Sequence, residues 1–193
     1  MIARAALDII DESGWQHCTM QALATRLGVR APSLYHHVDG HQDIVDLVRA
    51  LVVSEIHDPA ILDLPWDEAM LGFGIAYHRA FSNHPNTIEV LSTTPVRDTA
   101  TLRLYESFLQ PLCRDGWDGP RAFEALLGLE HLALGFAFEW NADEFMLDAA
   151  VCQAAGAPLL AGVVSARAGR QAEFAEAAFR SLLGRYIDMF RFD

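Results

Sequence analysis

The sequence contains no lysine and few of the features that mark disulfide-bonded or membrane proteins. Its three cysteines, in 193 residues, are widely separated and lack a CxxC spacing. They predict neither a disulfide framework nor a cysteine-ligated metal, and they favour a reducing, cytoplasmic setting. The most apolar segment, residues 122–140, is interrupted by three glutamates and a histidine. This argues against a membrane span, which needs roughly 20 mostly uncharged residues.

Positive charge is scarce as well. The 14 basic side chains are all arginines, and they face 26 Asp and Glu, which gives a net charge of −12. Taken alone, this balance argues against nucleic acid as a partner, because phosphate contacts need a basic surface. Residues 1–57 hold four of the arginines and seven of the acidic residues. The other 19 acidic residues lie outside this segment, so the total charge does not exclude local contact with DNA.

Helical periodicity is what the sequence does contain. Hydrophobic residues make up 52% of the chain, and the long apolar runs repeat at helical spacing, which predicts an all-α fold. Prolines at 59 and 65 interrupt the pattern, so we expect one domain over residues 1–57 and a second over 58–193. The expected helices cover residues 3–13, 19–27, 32–38, 41–57, 66–83, 98–114, 122–141 and 171–192, with 143–170 ambiguous.

A helix-turn-helix pattern occupies the first of these domains. Thr19 is placed to cap a short helix, Gly28 supplies the backbone freedom of a tight turn, and Pro32 suits the first turn of the next helix. The exposed face of that second helix is then available to lie in a DNA major groove. The small core that fixes the angle between the helices is expected to comprise Leu23, Ala24, Leu27, Val29 and Leu34.

The segment TMQALATRLGVRAPSLYHHVDGHQDIVDLV resembles the DNA-binding segment of the tetracycline-repressor (TetR) family of bacterial regulators. Residues 58–193 resemble the family's helical ligand-binding and dimerisation domain, and the stretch from Trp66 through Thr93-Thr94-Pro95 to Gly135 resembles the tetracycline-repressor branch. The resemblance implies a homodimeric repressor, not an enzyme, that a small, largely apolar effector releases from a palindromic operator.

By that resemblance, ten residues are expected to face DNA. Glutamine and arginine can make bidentate contacts with base edges, whereas hydroxyls and imidazoles hold phosphates. Family members often carry lysines after the third helix, where this chain has residues 39–42 without one, so DNA affinity is expected to be weaker and more pH-sensitive. The ten residues are Thr19, Gln21, Arg30, Ala31, Pro32, Ser33, Tyr35, His36, His37 and His41.

A second set of residues is expected to form the effector pocket in residues 58–193. Aromatic side chains with a few polar anchors are typical of small-molecule sites, although each of these residues could equally belong to a plain helical core. The set comprises Tyr77, His78, Phe81, Tyr105, Glu106, Leu109, Leu127, His131, Phe136 and Glu139.

The resemblance also bears on metal and on assembly. Val90 occupies the position at which the tetracycline branch has a histidine ligand for magnesium, so neither magnesium nor tetracycline is expected, and no cofactor is implied. Surplus apolar surface on the helices at 122–141 and 171–192 predicts a dimer interface.

Other interpretations stay open at this point. His36, His37 and His41, with Asp39, could hold zinc, although the Asp39-Gly40 break makes one continuous helix unfavourable. A helical enzyme could use His78, His131 and Glu139, for which no nucleophile–base or metal-triad spacing is evident. A ligand-binding protein with weakened DNA affinity would also suit the acidic first domain.

Overall fold

The chain folds as a succession of α-helices joined by short turns. The computed structural model describes residues 1–140 and 146–191, and no β-strand occurs within them. The all-α prediction is therefore confirmed. The helices are α1 (Ile2–Ser13), α2 (Met20–Leu27), α3 (Ala31–Leu34), α4 (His41–Ser54), α5 (Trp66–Asn83), α6 (Ile88–Thr93), α7 (Thr99–Arg114), α8 (Gly119–Trp140), α9 (Ala149–Ala154), α10 (Pro158–Arg167) and α11 (Gln171–Met189).

Helices α1 and α4 form the base on which the two short helices sit. Leu7 and Ile10 of α1 are fully buried, as are Val48 and Val52 of α4, because both helices carry apolar residues at spacings of three and four. Burying a side chain of this size contributes roughly 1.5–3 kcal/mol. The α1–α4 contact is thus the main support of the helix-turn-helix segment, residues 19–38.

The second half of the chain is a bundle in which α5 packs against α7, α8 and α11. Phe73 of α5 contacts Phe108 of α7 edge-on, with ring centroids 4.7 Å apart. Gly74 lets α11 approach, since a Cβ there would lie 2.9 Å from the Leu183 side chain. In the part of the chain that the structure covers, no helix is both long and apolar enough to cross a membrane.

Several helix boundaries differ from the predictions for local reasons. Helix α4 ends at residue 54 instead of 57, because Glu55 and Ile56 bond to carbonyls three residues back and so tighten the last turn. Helix α8 starts three residues early, because Asp118 accepts a hydrogen bond from the backbone N–H of Arg121 at 2.8 Å and caps it. The ambiguous stretch contains α9 and α10, and Asn141 lies outside the described residues.

Candidate DNA-binding surface and effector site

The helix-turn-helix segment is held by one cap, one glycine turn and a few buried side chains. The Thr19 hydroxyl oxygen accepts the backbone N–H of Ala22 at 3.1 Å and caps α2. Gly28 adopts a left-handed conformation with φ of +68°, where side chains other than glycine are strained. Leu23 and Leu34 are buried between the two helices. These contacts fix which face of α3 points outward.

Two expectations about this segment need correction. Val29 is 45% exposed and not part of the small core, because its N–H closes α2 by donating to the Ala24 carbonyl at 3.0 Å and its side chain points to solvent. Helix α3 covers only residues 31–34. The chain continues in a tight turn in which the His37 N–H donates to the Leu34 carbonyl at 2.8 Å.

The ten residues expected to face DNA lie on one exposed side of this segment or at its ends. Tyr35 is 55% exposed, and Ala31 is half-buried because it packs on the core. His41, the first residue of α4, places its ring edge-on to Trp15, with centroids 5.7 Å apart. The exposed nine are Thr19, Gln21, Arg30, Pro32, Ser33, Tyr35, His36, His37 and His41.

Local charge on this surface is partly neutralised within the chain. Arg26 is engaged by Glu12, with Nη1 3.1 Å from Oε1, whereas Arg30 is exposed. Asp43 accepts the backbone N–H of Asp39 at 2.6 Å and so holds the turn before α4. Within the described ranges, no three His, Cys, Asp or Glu side chains are grouped in a way that could hold a metal ion.

In the bundle, six of the ten expected pocket residues lie in or against the aromatic core. Tyr77, His78 and Phe81 of α5 are buried. The His78 ring stacks on Phe179 of α11, with centroids 4.1 Å apart, and burial lowers the pKa of His78. Tyr105, Leu109 and Phe136 are half-buried and pack against the same core.

Three other expected pocket residues are not brought into this group. Glu106 on α7, and Leu127 and His131 on α8, are exposed, because they occupy helix faces turned away from α5. The His131 ring lies 2.6 Å from the Leu127 carbonyl of its own helix. The side chain of Glu139 lies outside the described part of the chain.

Sequence reasoning missed two buried charged residues, Glu130 and Arg49. Glu130 of α8 is only 7% exposed; burial raises the pKa of its carboxyl, and the Tyr105 and Tyr77 hydroxyls oppose that rise. Arg49 of α4 is 4% exposed and donates to the Thr94 carbonyl at 2.9 Å. The burial of Glu130 has a sign in the sequence, because Glu130 stands four residues after Leu126 and three before Ala133, both on the buried face of α8.

His84 links the two halves of the molecule. It follows α5, and its Nδ1 lies 2.8 Å from Asp11 Oδ2 of α1 while its Nε2 lies 3.1 Å from Glu55 Oε1 at the end of α4. The hydrogen bond with Asp11 raises the pKa of His84 above its usual 6.5, assisted by Glu55 and opposed by burial. Asn86 adds hydrogen bonds from its side-chain amide to the Ile10 and Asp11 carbonyls at 3.0 and 3.1 Å.

A helix-turn-helix segment set on a larger helical bundle defines the class of helical DNA-binding regulators. An uncharacterised HTH-type transcriptional regulator of Mycobacterium tuberculosis is 31% identical over 144 residues, which cover 70% of this chain and 66% of that relative. The class A tetracycline repressor protein from transposon 1721 of Escherichia coli is 28% identical over 184 residues, covering 90% of this chain and 83% of the repressor. No family model matches the chain.

Solved structures agree at the level of the fold. A crystal structure of a possible TetR family transcriptional regulator from Streptomyces coelicolor A3(2) superposes with a TM-score of 0.77 at 24% identity, covering 98% of this chain and 97% of that one. The chain belongs to the TetR family. The chain spans just under two thirds of the length of the mycobacterial relative.

Proposed function

We propose that this chain is a homodimeric transcriptional repressor that a small, largely apolar effector releases from a palindromic operator. The observation that carries the proposal is the exposed face of the helix-turn-helix segment. Arg30, Tyr35 and His36 are held outward there because Leu34 is buried against α2. Exposed polar side chains on a helix fixed in this way are what major-groove contact requires.

The residues proposed to face DNA divide by chemistry into two groups. Gln21 and Arg30 can make bidentate contacts with base edges, and the apolar surface of Ala31 and Pro32 suits a thymine methyl. Hydroxyl and imidazole groups hold phosphates and set the register of the protein on DNA. That second group comprises Thr19, Tyr35, His37 and His41.

In this proposal residues 1–57 form the DNA-binding domain, and residues 58–193 form the effector-binding domain. Helix α4 belongs to the first domain yet contacts the second through Arg49, which donates to the Thr94 carbonyl. His84 holds α1 and the end of α4 from the second domain. An effector that favours another arrangement of α5 and α7 would therefore change the spacing of the DNA-binding surfaces.

Apolar side chains on the outer surface of α8 and α11 support the homodimer. Phe138 of α8 and Met189 of α11 are well exposed, and the two helices pack side by side. Exposed apolar side chains on adjacent helices suit a symmetric contact with a second copy. Phe123, Leu127 and Leu182 are further exposed apolar residues of these two helices.

Cytoplasmic location and the lack of an enzymatic role are part of the same proposal, since DNA is the expected partner. The rival catalytic set gains no support from the geometry. His78 is buried against Phe179, and His131 is exposed on another helix.

DNase footprinting and gel-shift titration with DNA upstream of the protein's own gene test the proposal. We expect two protected half-sites about one helical turn apart. Replacing Arg30 with alanine should weaken binding by roughly 1–3 kcal/mol, about 5- to 160-fold, because the base contact is lost, and Tyr35→Phe should weaken it less. Arg103→Ala is the matched control, because Arg103 is an exposed arginine on α7.

The control should bind as the wild type does. The proposal fails if no palindromic site is protected at low salt and mildly acidic pH. It also fails if Arg103→Ala weakens binding as much as Arg30→Ala.

A further inference from the structure

Glu130 is a buried carboxylate in the middle of an apolar helix. It is 7% exposed, and among the described residues its Oε1 has no hydrogen-bond partner. Leaving a buried acceptor unsatisfied costs about 1–3 kcal/mol, and more for a charged group. The position would be more stable with an apolar side chain, so packing alone does not account for it.

Two phenols converge on this carboxylate from different helices. The hydroxyls of Tyr77 on α5 and Tyr105 on α7 both interact with Glu130, and its negative charge helps to raise the pKa values of both phenols. A carboxylate can accept about four hydrogen bonds, so the two hydroxyls leave acceptor capacity unused. Three helices thus direct polar groups to one point inside an otherwise aromatic core.

The neighbouring charges leave this carboxylate uncompensated. Arg49 is also buried, and its charge reaches Tyr77 and Tyr105. However, its Nε lies 3.8 Å from Asp98 Oδ2, and this ion pair takes up the positive charge. Within the group formed by Arg49, Asp98, Glu130 and the two phenols, the ionised carboxylate of Glu130 is therefore one negative charge in excess.

The surroundings of Glu130 are aromatic. Phe73 and Phe81 flank Tyr77, with ring centroids 5.7 and 4.9 Å from it. Tyr105 is only half-buried, so one member of the group is partly accessible to solvent. Apolar walls around one polar anchor are what small-molecule sites usually present.

We propose that Glu130 is the recognition point for the effector, and that the effector carries a cationic, hydrogen-bond-donating nitrogen, such as an amine or amidine, on an aromatic or apolar body. Such a nitrogen would satisfy the free carboxylate oxygen and neutralise the excess charge at once. The inference rests on the proposed function, since it assigns the chemical class of the effector.

The same geometry couples effector binding to the protonation of Glu130. Burial raises the pKa of Glu130, so the empty site takes up a proton more readily than an exposed glutamate does. A bound cation favours the ionised carboxylate, so binding releases that proton and tightens as the pH rises through the titration of Glu130. The other groups near it are Tyr77, Tyr105, the Arg49–Asp98 pair and the exposed His131 beside it on α8.

The experiment compares benzamidinium with benzamide, two ligands of nearly the same shape of which only the first is cationic. Binding is measured by isothermal titration calorimetry at millimolar ligand in two buffers of different ionisation enthalpy. We expect wild-type protein to prefer benzamidinium at least tenfold and to release a fraction of a proton. Glu130→Gln should lose both the preference and the release.

Glu68→Gln is the matched control, because Glu68 is an exposed glutamate at the start of α5 and lies outside the expected pocket; it should bind as the wild type does. Circular dichroism establishes that Glu130→Gln is folded, which we expect because the amide is nearly isosteric. The proposal is overturned if wild type binds neither ligand, binds both alike, or prefers benzamidinium equally after Glu130→Gln.

Operator binding, measured in parallel, separates this inference from the proposed function. If wild type and Glu130→Gln both protect the palindromic site while benzamidinium shows no preference, the effector class is wrong and the repressor assignment stands. If wild type protects no operator, the repressor assignment itself fails, whatever the ligands do.

Discussion

Single glycine positions control how closely α8 and α11 approach. At Gly128 a Cβ would lie 2.8 Å from Cζ of Tyr186 and closer still to its hydroxyl oxygen. That hydroxyl donates to the Ala125 carbonyl at 3.0 Å. The contact joins α11 to α8, and the absence of a side chain at Gly128 leaves the space that the Tyr186 ring occupies.

Replacing Gly128 with alanine should therefore destabilise the protein. Moving the Tyr186 ring costs about 1–3 kcal/mol, as for other overpacked sites, and this outweighs the roughly 1 kcal/mol that alanine gains over glycine in a helix. Urea denaturation measures the change. Gly135→Ala on the same helix is the control, since a Cβ there meets no atom within 4 Å. An equal loss in both variants would contradict the role of Tyr186.

Residue roles in the bundle were harder to predict than those in the helix-turn-helix segment. Helix α8 is apolar on nearly every face, so the spacing of Glu130 from Leu126 and Ala133 is a weak sign that Glu130 is buried and that His131 next to it is exposed. In the helix-turn-helix segment, by contrast, Gly28 permits the left-handed turn and Pro32 fixes the start of the next helix, so the outward face follows from their spacing. The backbone conformation of a turn can be predicted from the few residues in it, whereas the burial of a charged side chain depends on which distant helices pack around it.

At the scale of elements, the contact between α1, α4 and the end of α5 depends on a proton. Both ring nitrogens of His84 face carboxylate oxygens, which only accept hydrogen bonds. Both nitrogens must therefore donate, and His84 bridges the helices fully only as the imidazolium. Nothing in the sequence around residues 84–86 indicated this bridge, because its partners lie 73 and 29 residues away.

Stability should accordingly fall as His84 loses its proton. Its pKa is raised in the folded protein, so its contribution is complete below the unfolded value near 6.5 and is lost as the pH rises through the folded pKa. We expect the difference in unfolding free energy between wild type and His84→Gln to shrink between mildly acidic and alkaline pH. Urea denaturation over this range measures it.

Asn86→Ala provides the comparison for this prediction. It removes two hydrogen bonds to the same end of α1 without removing a titratable group. Its loss of about 1 kcal/mol per hydrogen bond should be the same at every pH. A wild-type advantage over His84→Gln that does not vary with pH would refute the protonated bridge.

At the scale of the whole molecule, the proposed function requires an acidic chain to hold a polyanion. Residues 1–57 carry four arginines and seven acidic residues, and three histidines lie exposed at the proposed DNA surface: His36, His37 and His41. Hydroxyls, imidazoles and backbone N–H groups can hold phosphates by hydrogen bonds. The first domain therefore offers few arginines for cationic phosphate contacts.

The salt dependence of operator affinity should be shallow. Each phosphate contact made by a cationic side chain steepens the slope of log affinity against log salt by about 0.9, and residues 1–57 supply four arginines, of which Arg26 is paired with Glu12. Fluorescence anisotropy at several salt concentrations measures the slope. A slope steeper than four such contacts per subunit can supply would contradict this account.

The overall architecture could be predicted from the sequence because its helical periodicity and its glycine and proline breaks act locally. The region around residues 143–170 could not, because small residues and glycines give no dominant helical face. There, α9 and α10 bury Cys152, Ala161 and Val164 in a cluster of their own, apart from the main core.

That separate cluster makes the α9–α10 hairpin a cooperative unit of its own. Three small side chains shield little apolar surface, so the free energy that opposes local opening is far below that of the bundle. The hairpin can unfold and refold while α5, α8 and α11 stay packed. Substitutions and changes in length within it should therefore have little effect on the stability of the helix-turn-helix half.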